Sequence, residues 1–245
     1  MSKVQRMPWW WAAGGCAGLV AVTLVVPLGT AGWVAGLAYL VVSSALLTRG
    51  LVGAPRFGPA NGITATRSAL VGIATALAAA SFAHAISTPL FVAIASVALA
   101  LDAVDGYVAR RTGTATELGA RFDMEVDAFL LLVLSVYDVR YVGAWVLAIG
   151  LMRYAFVVVG WMLPWMGALL PARYWRKVVT AVCGIALIVV AAGILPPVLD
   201  LAAVAIALAL LVESFGRDVI WLARSELTRR RTRVLSKAST DGKAA

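Results

Sequence analysis

Six of the twelve acidic residues in the chain fall in one short stretch: Asp102, Asp105, Glu117, Asp123, Glu125 and Asp127. The sequence on either side is almost wholly apolar. Carboxylates beside lipid are costly, so an acidic cluster inside a membrane segment is a functional-site hypothesis by default. Asp102 and Asp105 are spaced i, i+3 and share a helix face. Gly119, Asp123 and Asp127 are each four apart and share another. Between them RRTGTATE has turn composition, and Thr114 with Glu117 forms a capping box that starts a helix near Ala115. Two antiparallel helices folding back at Thr112–Gly113 set Asp102 opposite Asp123, with Asp105 and Asp127 at neighbouring turns. Four converging carboxylates repel one another. Divalent cations are the simplest compensation, and an all-oxygen set without Cys or His points to Mg²⁺ or Mn²⁺ rather than zinc. The competing reading is a hairpin whose carboxylates only pair with Arg110, Arg111 and Arg121.

The elements that must carry these residues are membrane helices. Of 245 residues, 62% are hydrophobic, and the net charge is +9. Apolar runs of about 20 residues recur along the chain. This composition fits an all-α, polytopic membrane protein and excludes a soluble core. The basic residues lie at the N-terminus, at 49–56, 110–111, 173–177 and the C-terminus, while the intervening turns at 27–32, 84, 138–140 and 196–200 are nearly neutral. Eight spans place all five basic regions on one side, which the positive-inside rule makes cytoplasmic for both termini and for the acidic hairpin. The charge is a topology signal and an affinity for anionic lipid; no basic stripe with interleaved aromatics supports nucleic-acid binding. Trp9–Trp11 suit an interfacial belt. Spans are expected from there to about Val26, from Trp33 to Leu47, from the helix opened by Asn61 to the loop at His84, and at about 88–111, 115–137 and 142–163. One more ends near Ile194, and the last covers 198–221. A basic tail follows, lying on the inner leaflet or disordered. Cys16 and Cys183, both in apolar runs, read as buried thiols.

The acidic stretch resembles the signature of the CDP-alcohol phosphotransferase family, D-x2-D-G-x2-A-R-x8-G-x3-D-x3-D, with Asp102, Asp105, Gly106, Ala109, Arg110, Gly119, Asp123 and Asp127 in the fixed positions. The resemblance covers about residues 60 to 225. It implies a six-helix membrane core, residues 59–225, preceded by a two-helix extension and basic linker, 1–58, and followed by the tail, 226–245. It further implies transfer of a phosphatidyl or other substituted phosphate group from a CDP-alcohol, such as CDP-diacylglycerol, to an acceptor alcohol with release of CMP, a step of phospholipid biosynthesis. By the same resemblance Asp102, Asp105, Asp123 and Asp127 hold two divalent ions, Mg²⁺ or Mn²⁺, and Asp127 is the general base. The CDP-alcohol falls to Asp105, Gly106, Ala109, Arg110, Gly119, Asn61 and Arg67. Gly106 and Ala109 lack bulk that would block a nucleotide, and Arg110 can meet pyrophosphate charge.

The remaining assignments keep a structural alternative beside the functional one. Asn61, in N-x2-T-x2-R with Thr64 and Arg67, either caps a helix or contacts substrate, and Arg67 either snorkels or serves the site. Arg153, inside an apolar span, needs an acidic partner or an anionic ligand. Arg217 is spaced i, i+4 from Glu213. Arg153, Lys177 and Arg217 together form an acceptor-binding set whose surplus positive charge suits a phosphorylated alcohol. For the N-terminal pair, dimerisation into a homodimer and lateral packing are the roles left open. Two other classes also use intramembrane carboxylates: an aspartate-rich, Mg²⁺-dependent prenyltransferase and a cation transporter. The first normally splits its acidic motifs between distant helices, and the second more often shows broken helices or repeats.

Overall fold

A computed structural model describes residues 3–50, 59–112, 117–167 and 174–241. These form eight α-helices: α1 (Lys3–Thr23), α2 (Gly29–Gly50), α3 (Pro59–Ala80), α4 (Thr88–Thr112), α5 (Glu117–Val142), α6 (Leu147–Met162), α7 (Tyr174–Ala192) and α8 (Pro197–Asp241). Short 3₁₀ turns at Ala144–Val146 and Pro164–Gly167 flank α6, and no strand occurs among the described residues. The all-α polytopic bundle expected from composition is the observed fold. Five segments are long and apolar enough to cross a membrane: Gly29–Arg49, Gly62–Ala80, Ala144–Met162, Trp175–Ala192 and Pro197–Leu227. Thr88–Val104 is shorter and also apolar. Helix α5 is diluted by Glu117, Arg121, Asp123, Glu125 and Asp127 in its first three turns.

Helix α3 is the centre of the bundle and packs against α1, α2, α4 and α5. Val71, Ala74, Ala76, Leu77 and Ala80 on it are fully buried. Its alanines allow this, because helix association in lipid depends on close backbone approach through small residues. Gly150 of α6 makes a similar approach to α5, where an added Cβ would stand 2.5 Å from the Leu132 Cα. Phe91 and Tyr137 stack with centroids 4.2 Å apart, and Thr88 bonds the Tyr137 hydroxyl at 3.2 Å, fastening the start of α4 to the end of α5. Many large apolar side chains face outward instead, among them Leu24, Val34, Ile194, Val198 and Ile206. That distribution suits a bundle solvated by lipid tails.

Several boundaries differ from expectation. The turn expected over Pro27–Gly32 is shorter, because Gly29 adopts φ 60° and opens α2 at once. Helix α5 runs on to Val142, so Asp138 and Arg140 lie in its last turns and not in a separate loop. The tail, expected on the inner leaflet or disordered, is helical, since α8 continues to Asp241. No Gly or Pro occurs between Arg217 and Asp241, and Ser225 turns its hydroxyl back onto the Trp221 carbonyl at 2.9 Å. Helix-forming Arg, Leu, Lys and Ala therefore carry the helix past its apolar part. Cys183 is a buried thiol on the Ala207 carbonyl at 3.5 Å, and Cys16 is half-buried and free. The connectors at 51–58 and 168–173, and the capping-box residue Thr114, fall outside the described residues.

Candidate active site

Three helices bring the acidic residues together at one level of the bundle. At 1.5 Å per residue, Arg67 lies about 12 Å inside the start of α3, Asp102 about 15 Å before the end of α4, and Asp123 about 9 Å into α5. The Asp102, Asp123 and Asp127 carboxylates each offer an oxygen, and these oxygens all lie within 4.8 Å of one another. The four-residue spacing of Asp123 and Asp127 stacks them on one face of α5, and α4 supplies Asp102 across from it.

Arg67 holds the three together. Its Nη1 donates to Asp102 Oδ1 at 3.2 Å and to Asp123 Oδ1. Its Nη2 donates to Asp127 Oδ1, and to the Asp123 carbonyl at 3.5 Å. The guanidinium is 0% exposed, whereas the Asp102, Asp123 and Asp127 side chains are 31%, 23% and 22% exposed. The arginine thus forms the floor of the site and the carboxylates its rim. One positive charge faces three negative ones, so the cluster keeps an excess of negative charge that opens toward solvent. Arg67 Nε is buried without a hydrogen-bond partner, which is a further cost borne at this position.

The residues behind Arg67 limit its freedom. Ser68, next in α3, meets the Tyr39 hydroxyl of α2 at 3.3 Å, and the Tyr39 ring stacks on Phe129 of α5 with centroids 4.6 Å apart. Phe129 is two residues beyond Asp127. One α2 side chain therefore touches neighbours of both Arg67 and Asp127.

The set of donors fits a divalent cation. It is all oxygen, partly exposed, and spans a distance that one or two small ions can bridge. Among the expected ligands and substrate contacts, the side chains of Asn61, Asp105, Ala109 and Arg110 and the surroundings of Gly106 fall outside the described residues. Gly119 is half-buried in the first turn of α5, one turn before Asp123 on the same face.

The three expected acceptor contacts separate. Arg153 of α6 pairs with Glu125, which lies on a face of α5 other than that of the aspartates, and both side chains are partly exposed. Arg217 pairs with Glu213 one turn away, whose other oxygen accepts from Trp175 Nε1 at 3.1 Å. Arg176 pairs with Asp218 at 3.3 Å. Lys177, in the first turn of α7, is the member of the set whose positive charge acts on both Asp123 and Asp127.

The motif, the Arg67 floor and Lys177 all fall within residues 57–215, which match the family model described as CDP-alcohol phosphatidyltransferase. The chain belongs to that family. The family is one of membrane transferases of phospholipid biosynthesis that typically use a divalent metal. Membership replaces the prenyltransferase and cation-transporter alternatives. Neither the curated proteins nor the solved structures give a significant match.

Arg67 as the common counter-charge was not foreseen. The signal was available, because it is the one formal charge between Arg56 and Asp102. A lone arginine in some forty apolar residues requires an acidic partner, and the motif supplies the nearest acids. Arg110, Arg111 and Arg121 are nearer the motif in sequence, and sequence proximity favours them as counter-charges.

Proposed function

We propose that this phosphatidyltransferase moves the phosphatidyl group of CDP-diacylglycerol to a hydroxyl of a phosphorylated polar alcohol, releasing CMP at the cytoplasmic end of the bundle. The observation that carries this reading is the convergence of Asp102, Asp123 and Asp127 on buried Arg67, with their oxygens within 4.8 Å of one another.

Asp102, Asp123 and Asp127, joined by Asp105, are the residues that hold the divalent metal. A bound divalent ion supplies charge stabilisation for the pyrophosphate and the departing CMP oxygen. Asp127 takes the proton of the acceptor hydroxyl, the acceptor oxygen forms its bond to the lipid-bearing phosphorus, and the bond from that phosphorus to the CMP oxygen breaks. Asp127 suits the task because it is the member of the set furthest along α5. Arg67 fixes Asp127 through Nη2 and Asp102 and Asp123 through Nη1, so base and ligands keep their spacing as substrates enter. The CDP-alcohol is assigned to Arg110, Asn61, Gly106, Ala109, Gly119 and Arg67.

A phosphorylated acceptor now rests on Lys177. Arg153 and Arg217 have carboxylate partners, which reduces the surplus charge, while Lys177 remains exposed beside the aspartates. A lysine at the mouth of a site can bind phosphate as a point charge. The test is CMP release by purified protein given CDP-diacylglycerol and a panel of acceptors with and without a phosphate. Release confined to phosphorylated acceptors supports the whole reading. Release with uncharged alcohols alone removes the acceptor assignment, and no release with any acceptor in Mg²⁺ or Mn²⁺ removes the donor assignment.

A further inference from the structure

The other end of the bundle contains a second buried polar cluster. Ser135 and Asp138 on α5 are both 0% exposed, and Asp200 on α8 is 7% exposed. Ser135 Oγ, both Asp138 carboxylate oxygens and Asp200 Oδ1 are buried with no hydrogen-bond partner. The i, i+3 spacing puts Ser135 on the face of α5 that carries Asp138. Helices α5 and α8 pack against each other, and the Asp200 carboxylate acts on Asp138 as a like charge through space, not as a hydrogen-bond partner.

The nearby charges do not resolve this. Among the described residues, Arg140 is the cation that acts on Asp138. Its guanidinium is committed elsewhere, to the Tyr137 carbonyl at 3.1 Å and to Ser81 in the turn after α3, and it lies over the Phe82 and Tyr137 rings. Tyr137 itself is engaged by Thr88 of α4. Asp200 gains from its place in the first turn of α8, where the helix dipole favours an anion. Asp138 sits in the last turns of α5, where the same dipole opposes one. A buried carboxylate with neither partner nor favourable dipole is far more costly than a paired one.

We propose that Asp138, Asp200 and Ser135 form a structural site for one divalent cation of the Ca²⁺ class, clamping α5 to α8 at the end of the bundle away from the catalytic aspartates. Two carboxylates balance one divalent charge. The donors are all hard oxygens, which selects against softer metals such as zinc and copper. Ca²⁺ accepts irregular, protein-rich coordination, whereas Mg²⁺ retains several waters that a nearly unexposed site has little room to hold.

The test is thermal unfolding of the full-length protein in detergent, with Mg²⁺ saturating and Ca²⁺ titrated. At a hundredfold excess over Kd the midpoint rises by roughly 5–10 °C. Asp138→Asn and Asp200→Asn each lose the rise, and Ser135→Ala, which keeps both charges, shifts the titration to higher Ca²⁺. If the aspartate variants do not fold, the Ser135→Ala shift decides. Asp123→Asn retains the full rise. Loss of the rise in Asp123→Asn would place Ca²⁺ at the catalytic cluster and overturn the proposal. So would a wild-type midpoint indifferent to Ca²⁺ while Asp138→Asn is more stable, since that is the behaviour of a carboxyl kept neutral by a proton.

Discussion

Replacing Arg67 by methionine keeps an unbranched side chain about as far as Nε and removes the two terminal nitrogens and the charge. Taking 4.8 Å as the spacing of the carboxylate oxygens and an effective dielectric constant of about 20, each carboxylate pair repels by about 3.5 kcal/mol, roughly 10 kcal/mol for the three pairs. Contact at 3.2 Å with the guanidinium returns about 5 kcal/mol per carboxylate, so Arg67 more than offsets the repulsion. Solvent reaches the carboxylates, which are 22–31% exposed, and they can take up protons, so the net loss is far smaller than these terms. Breaking a buried ion pair costs about 3–5 kcal/mol, and that range is the expectation here. In a chain of this size it lowers the unfolding midpoint by roughly 6–20 °C. The assay is a thermal melt of purified Arg67→Met in detergent, with chelator and then with Mg²⁺ or Mn²⁺. The deficit is expected in chelator and is expected to shrink when the divalent ion replaces the lost positive charge. Adding Asp127→Asn to Arg67→Met removes two of the three repulsive pairs, so the double variant is expected to melt above the single one in chelator. An Arg67→Met protein that melts with the wild type in chelator would refute the argument.

Three further outcomes are expected. Asp127→Asn retains CDP-alcohol binding while transfer falls by at least about 100-fold, the low end for loss of a general base; a binding assay beside a CMP-release assay separates the two, and near-normal transfer removes the role. Lys177→Gln raises the KM for a phosphorylated acceptor by roughly tenfold with CDP-alcohol affinity unchanged, whereas Arg153→Ala, which breaks only the part-exposed pair with Glu125, changes stability by at most about 1 kcal/mol and acceptor KM little. Reporters fused at Gly29 and Ala245 read opposite sides of the membrane, and agreement between them would end the eight-span, termini-inside topology.

The fold class was legible because lipid imposes one rule everywhere: long apolar runs must be helices, so composition and loop charge describe the bundle before any contact is known. The acidic hairpin was legible for a different reason, since i, i+3 and i, i+4 spacings state which carboxylates share a face. What was not legible depends on which helices are neighbours. Arg67 lies 35 residues from Asp102 and 60 from Asp127, and only the placement of α3 beside both α4 and α5 makes it their partner. Arg153 shows the same limit in reverse. An arginine inside an apolar span had to find an anion, but sequence could not choose between a substrate phosphate, a motif aspartate and Glu125, because the choice rests on the rotation of α6 about its axis. The length of α8 was not legible either, because charge ends a helix's passage through lipid and not the helix itself.

The two N-terminal helices lie outside the family match, which begins at residue 57, yet they are not remote from the chemistry. Helix α2 packs along α3, the helix that carries Arg67, and its Tyr39 joins Ser68 of α3 to Phe129 of α5. A guanidinium serving three carboxylates has little tolerance for rotation of either helix. Turning α3 withdraws Nη1 from Asp102 and Asp123, and turning α5 withdraws Asp127 from Nη2. Tyr39 opposes both rotations with one side chain, through a hydroxyl contact on one helix and a ring contact on the other. An aromatic pair contributes roughly 0.5–1.5 kcal/mol beyond its buried area, and the hydroxyl contact about 1 kcal/mol. Those are small beside the electrostatics of the cluster, but they act on orientation, which the cluster's own charges cannot set without a rigid frame. Tyr39→Phe removes the hydroxyl contact and keeps the stack, while Tyr39→Leu removes both, so turnover under saturating metal and substrates is expected to fall in that order. Equal turnover in wild type and Tyr39→Leu would show that α3 and α5 hold their register without the extension.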